Sequence, residues 1–374
     1  MAKLLANGRN NNYQLADVEC DTSQYGFPFI QIPKYINNVP KQVKCVATGC
    51  GHSIIVDMDG KVYGVGDNSD FQLGSYRDLI YKNLVEIQFR DNHQITWAAS
   101  GYDYTIFIDS DGKLIYNGRG KIGKIIDLPN PAVFVAAGSN SPVAIDSIGD
   151  LYLFTKNIDD QPLHVTFPDP VFDVAQSNFF TIAVTTSGQC YGNGELNPLS
   201  SNNNPKEFIK IESLKGIEIL YVYAFGKNAC AVAADGRVFM RGPGSCGELG
   251  NGSFSDSNDF IQCSIKEKVA SAALGQSFAL FLTRGGTVYT CGKNSLKLQN
   301  NKDNISIPTK FRTINEKACF ACCGDSHSLV LANNKIIHPG VSHFDVKLSQ
   351  EMKTSCNSAV SNLLDFLNFS RDHL

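Results

Sequence analysis

The sequence predicts an all-β fold, a seven-bladed β-propeller closed by strands from both chain ends. Three observations lead there: a strand–turn–strand phrase recurs along the 374 residues, two independent rulers give the same copy number, and the chain ends hold complementary fragments of one copy. The clearest copy starts at Val46-Ala47-Thr48-Gly49-Cys50-Gly51-His52-Ser53-Ile54-Ile55-Val56. It continues through Asp59-Gly60-Lys61-Val62-Tyr63 to Gly66-Asp67-Asn68 and Gln72-Leu73-Gly74. A repeat of roughly 40–50 residues marks a radial or stacked array, because one unit cannot bury its own apolar faces.

The turn glycine is the first ruler: Gly60, Gly112, Gly149, Gly188, Gly236 and Gly286, with Asn334 in the seventh place. The glycine ending the small-residue strand is the second: Gly49, Gly101, Gly138, Gly226, Gly275 and Gly324, with Gln176 standing in the fourth copy. After that glycine comes a short apolar strand, such as Ile54-Ile55-Val56, Ile106-Phe107-Ile108 or Leu329-Val330-Leu331. Such runs suit strands covered on both faces. Tight turns at Asp59-Gly60, Asp111-Gly112 and Asp235-Gly236 use glycine for a hairpin reversal, and Val62-Tyr63, Leu151-Tyr152 and Val288-Tyr289 open the return strand.

The chain ends fix the closure. Leu4 to Leu15 reads as the back half of a copy without a front half; Cys322 to Gly340 reads as a front half without Gln-Leu after it. Pairing Leu4–Leu15 beside Leu329–Ile337 in one sheet removes exposed edges. An open solenoid would show atypical caps at both ends instead. Residues 1–340 are thus expected to form the propeller and 341–374 a helical tail. From Val346 the apolar positions Leu348, Met352, Cys356, Val360, Leu363, Leu364 and Leu367 follow a 3.6-residue period. One amphipathic helix is expected there, packed on the propeller or used for self-association.

The Gly-x-x-His-Ser at Gly49–Ser53, the Asp-Gly-Lys-Val-Tyr at Asp59–Tyr63 and the Gly-x-Asn…Gln-Leu-Gly at Gly66–Gly74 resemble the regulator of chromosome condensation family of seven-bladed propellers. The likeness runs from about Lys3 to Gly340. A WD40 origin is rejected because Trp97 is the single tryptophan and no Trp-Asp pair occurs; kelch repeats want paired glycines, which only Gly285-Gly286 supplies.

The resemblance implies guanine-nucleotide exchange on a Ran-like small GTPase as one function, carried by polar loop residues on one propeller face and a protruding hairpin from an early blade. Asp325, in Gly324-Asp325-Ser326-His327, matches the Asp-bearing loop best, and Asp103 matches it less closely. His52 and His327 fill the repeat slot; packing near the axis is their first reading and the binding face their second. The second and third copies are too short for a long hairpin, which weighs against exchange. A photoreceptor branch of the family depends on clustered tryptophans, and the lone Trp97 excludes that role.

Composition narrows the rest. Net charge is −3, and the only basic groupings, Lys34, Lys41 and Lys44, and Lys113 to Lys124 with Arg119, are modest and read as solvated faces, so no nucleic-acid surface is expected. No stretch approaches membrane-spanning length, and the start lacks a secretory apolar run, which points to the cytoplasm, with the nucleus also open. Twelve cysteines then sit in a reducing compartment. Cys319, Cys322 and Cys323 lie on a small-residue strand and read as small hydrophobes rather than zinc ligands. Gly118-Arg119-Gly120-Lys121-Ile122-Gly123 imitates a dinucleotide fingerprint, but no helix follows it. No catalytic residue, metal or cofactor is nominated. The leading expectation is therefore a protein-interaction scaffold or regulatory propeller, not an enzyme. Connectors at Ser75–Ile95, Asn197–Ile219 and Asn251–Lys268 carry Tyr76, Tyr81, Phe254 and Phe260, each read as a partner-docking aromatic or a core residue.

Overall fold

The computed structural model describes residues 2–20, 28–75, 77–196, 205–293, 304–311, 314 and 316–333. The seventh turn at Asn334 and the expected helical tail lie outside them. Seven four-stranded antiparallel sheets form the blades. The innermost strands are Val43–Thr48, Ile95–Ser100, Ala132–Ala137, Val171–Gln176, Ile219–Phe225, Val269–Leu274 and Ala318–Cys323. Each touches the next, and Ala318–Cys323 returns to Val43–Thr48, so the ring is complete.

Side-chain size explains this order. The innermost strands crowd the axis and carry small residues such as Ala47, Ala98, Ala175 and Ala273, all buried. Each bulges near its start, as at Val43/Cys45 and Ile95/Trp97, which sharpens its twist. The second strands, from His52–Asp57 round to His327–Ala332, are buried at every residue, as apolar runs covered on both sides must be.

Polar side chains shape the turns. Asp57 Oδ1 accepts the backbone N–H groups of Asp59 and Lys61 at 3.0 and 2.9 Å; Asp109 and Asp146 close their hairpins in the same way. Beyond the third strand, Asn68 Oδ1 accepts from Leu73 N and Gln72 Oε1 from Asp70 N, which drives Leu73 into the core. Asn10, Gln14 and Leu15 repeat that arrangement. In blade 5 Glu248 takes the glutamine's part, accepting Cys246 N at 2.8 Å beside buried Leu249.

The shared blade closes the ring. Lys3–Arg9 pairs antiparallel with His327–Ala332, from Lys3↔Ala332 to Gly8↔His327, and Phe29–Tyr35 adds the outer strand. The partner strand begins two residues before the expected Leu329–Ile337, of which 334–337 lie outside the described residues, and Asn10–Ala16 is connector rather than strand. The supposed extra loops also change meaning. Ser75–Ile95 and Asn251–Lys268 contain outer strands, Ile80–Ile87 and Ser257–Gln262, and Asn197–Ile219 contains the two-residue Ile209–Lys210.

Neighbouring inner strands are tied through their third residue. Trp97 Nε1 donates to Val135 O at 3.1 Å between blades 2 and 3. Between blades 4 and 5, Asp173 Oδ2 accepts Val222 N at 2.8 Å. Asp173 is buried, and burial pushes its carboxyl up to about 7. Since the folded state holds this proton more tightly than the unfolded chain, its contribution to stability is fully present below the ordinary carboxylate pKa and is lost as pH rises through about 7. Asp173→Asn keeps the acceptor; its unfolding midpoint, followed by circular dichroism from pH 5 to 8, should lose the decline shown by the native chain.

Closure makes a second expectation. Gly8 sits at φ +109 with the position of a Cβ only 2.5 Å from Ser326 O. Gly8→Ala should cost about 2 kcal/mol or more in denaturant titrations. Gly120→Ala, at φ +80 with open space around it, should cost only about 1 kcal/mol.

Candidate functional site

One face of the ring carries the turns between inner and second strands, and its geometry starts from the inner-strand glycine. In blades 1, 2, 6 and 7 the first side chain of the second strand folds back over that glycine. A Cβ on Gly49 would stand 2.3 Å from His52 Cε1, and one on Gly324 2.2 Å from His327 Cε1. Tyr104 and Phe278 pack over Gly101 and Gly275 in the same manner. These rings wedge neighbouring blades together: His52 Nε2 lies 2.9 Å from Thr105 Oγ1, and Tyr104 OH donates to Gly138 O at 2.7 Å.

His52 and His327 are internal wedges, as the packing reading expected, and this removes them from the candidate binding face. Both are 0% exposed. Burial lowers their pKa values to about 4 and about 3, so both imidazoles are neutral at physiological pH.

Above the wedges, side chains from blades 7, 1 and 2 converge. Asp325 is half-buried; its carboxylate accepts Ser326 Oγ at 3.0 Å, and its carbonyl accepts Gln276 N from blade 6 at 3.1 Å. It faces Cys50, whose thiol is pushed up by burial and then by the Asp325 charge. Cys50 is hydrogen-bonded to the Tyr102 hydroxyl, and the Tyr102 ring is 61% exposed. Asp67, Asp70 and Asp103 continue the acidic rim, where burial followed by the Asp103 and Asp67 charges raises the Asp70 carboxyl.

Asp103 has a specific partner. Its Oδ1 accepts Arg119 Nε at 2.8 Å, and Arg119 Nη1 donates to Asn140 O and Lys156 O of blade 3 at 2.7 and 2.8 Å. Arg119 adopts φ 49 in a two-residue turn with Gly120, so the hairpin after the third strand of blade 2 ends there. The fingerprint-like glycines are thus a hairpin clasping the next blade, and no long wedge extends from it. Across the face, Lys227 lies 4.9 Å from the Phe179 ring centre and 3.2 Å from Glu195. Tyr102, Arg119 and Phe179 were not among the residues expected on the face, although Tyr102 follows the repeat glycine Gly101 directly.

The loop aromatics divide. Phe254 is 51% exposed. Tyr81 is half-buried, packs against the core of blades 1 and 2 and donates to Ser75 Oγ at 2.7 Å. Phe260 is a core residue, buried with Leu214 and Phe239, and this removes it from the docking set. Tyr76 lies outside the described residues. No described group of three or more His, Cys, Asp or Glu side chains is arranged for a metal ion. Burial keeps the Cys322 and Cys323 thiols protonated, raising Cys322 to about 12. No described helix is long and apolar enough to cross a membrane.

The repeat described as Regulator of chromosome condensation (RCC1) repeat matches residues 269–296, the inner, second and third strands of blade 6. The chain is a seven-bladed propeller that carries a matched RCC1 repeat in blade 6. Ultraviolet-B receptor UVR8 of Arabidopsis thaliana is 24% identical over 260 residues, which is 68% of this chain and 54% of the receptor. The chain thus spans about half the length of that curated relative. Among solved RCC1-like propellers and their structural neighbours, human WBSCR16 aligns with a TM-score of 0.76 at 16% identity, covering 90% of this chain and 100% of that one. Prp20p from Saccharomyces cerevisiae, studied for its binding to Gsp1p and histones, gives 0.74 at 14% identity, with 92% and 94% covered. These structural likenesses establish the fold.

The wedge histidines give this face a pH signature. Their folded pKa values lie below that of a free imidazole, so their contribution is present above about pH 6.5 and is lost as pH falls through about 4. His327→Phe, which copies Phe278 in the same slot, should flatten the acid limb of the stability curve by an amount on the order of a few kcal/mol. Urea titrations at pH 5 and pH 7.5 measure it.

Proposed function

We infer that this propeller works by binding a partner protein on the turn face over blades 7, 1 and 2, as a scaffold or regulator. The observation that supports it most is the convergence of an exposed aromatic, Tyr102, with half-buried Cys50 and the carboxylates of Asp325 and Asp103. A rigid ring presents these groups without ordering cost, and an aromatic anchor rimmed by charge is the composition of binding hot spots. The acidic rim favours a partner surface bearing Lys or Arg. A cytoplasmic or nuclear location agrees with the free thiols of the described cysteines.

Exchange on a Ran-like GTPase is the second reading. The half-exposed Asp325 on an inner turn favours it, and the two-residue turn at Arg119-Gly120 speaks against it.

The double variant Tyr102→Ala, Asp325→Ala should fold within about 0.5 kcal/mol of the native chain, because neither side chain is in the core. Affinity capture should lose its principal bound protein with this variant and keep it with Phe254→Ala. Retention by the double variant would move the interface elsewhere. A Ran-type GTPase loaded with fluorescent nucleotide should release it no faster when the chain is added; acceleration sensitive to Asp325→Ala would establish exchange instead.

A further inference from the structure

The opposite face carries the hairpins between second and third strands, and there blade 2 departs from its neighbours. In blades 1, 2 and 3 one oxygen of Asp57, Asp109 or Asp146 closes the hairpin, leaving Oδ2 to be satisfied. Blade 1 supplies the Tyr63 hydroxyl at 3.4 Å; blade 3 supplies Tyr152 at 3.3 Å and Asn130 Nδ2 at 3.0 Å. Blade 2 has Ile115 at the tyrosine's position. Its Asp109 Oδ2 meets His93 Nδ1 instead, at 2.8 Å.

That contact has a chemical consequence. The buried carboxylate holds the ring in place, and in the tautomer whose Nδ1–H donates to it, Nε2 carries the lone pair and accepts. Beside this pair opens a cleft of about 540 Å³. Asp91, His93, Asp109, Asp111 and Lys113 line it, with Ile125, the ladder neighbour of Ile115, as the apolar wall. Three carboxylates against one ammonium make the cleft negative, and its fixed imidazole offers a lone pair.

We propose that this cleft binds a cationic nitrogen donor, an amine or guanidinium, which hydrogen-bonds to His93 Nε2 and is neutralised by Asp91 and Asp111. The group arrives either free, on a small amine, or on a Lys or Arg side chain of a bound chain. The site lies on the other face from the proposed partner surface and does not depend on it.

Nuclear magnetic resonance of histidine-labelled protein tests this, with methylguanidinium, a blocked arginine tripeptide and inorganic phosphate as probes. The His93 Nε2 signal should move saturably with one or both cations. Saturation by methylguanidinium identifies the free-amine source, and saturation by the tripeptide alone identifies a polypeptide side chain. His93→Asn keeps the Asp109 bond in the way Asn130 serves Asp146, and it should weaken binding at least tenfold without moving the unfolding midpoint. Asp91→Asn, Asp111→Asn should weaken it similarly, and decides the matter if His93→Asn is destabilised. The proposal is overturned by no saturable shift with either cation, by binding unchanged in the charge variant, or by phosphate saturating the site instead.

Discussion

Every blade position depends on one ladder, the antiparallel pairing of Lys3–Arg9 with His327–Ala332. Without it the shared blade loses its third strand, and the inner strand Ala318–Cys323 has no reason to stay against Val43–Thr48. Sheet edges left open would expose unpaired backbone groups, a standing liability for β proteins. The pairing joins residues more than 300 positions apart, so the ring closes only after a long loop is ordered. Lys3 and Tyr35 both reach half-buried Glu316 at that seam, but Lys3 and Tyr35 are themselves exposed, and the group contributes little beside the ladder itself.

Within the ring, neighbouring blades are held by a repeated device with varied chemistry. An imidazole, a phenol or a phenyl ring fills the space left by the missing Cβ of Gly49, Gly101 or Gly275. Because the device needs a flat ring of limited size, its occupants exchange across blades without changing the backbone. This is why a histidine in the motif says little about chemistry. The charged residues nearest the axis behave differently: Asp103 spends its carboxylate on Arg119, which in turn clasps blade 3, while Asp325 stays partly open to solvent.

Much of the fold was legible from residue spacing. Alternating apolar strands, turn glycines and split end fragments led to seven blades and to closure by both termini. The outermost strands were not legible. Ile80–Ile87 is exposed or half-exposed at all but its last residue and Ile209–Lys210 spans two residues, so neither carries the apolar signature that reveals inner strands. The hairpin-closing Asp57, Asp109 and Asp146 also escaped notice, since attention falls on the glycine that follows. For the site, position in the repeat located Asp325 and Asp103 and favoured packing for His52 and His327, but it could not fix the burial of any of the four.

The sequence by itself determined the number of blades, the strand order within the inner sheets and the joining of the two ends, because periodicity is a local property written into each copy. Tertiary structure alone decided which of the repeat's polar residues reach solvent. Exposure depends on the neighbouring blade, which lies about 40–50 residues away along the chain in such arrays and contributes its own glycine, ring or carbonyl. Only when Gly101 and Gly138 are brought beside the rings of His52 and Tyr104 do those side chains become internal wedges, leaving Tyr102 and Asp325 as the outward groups.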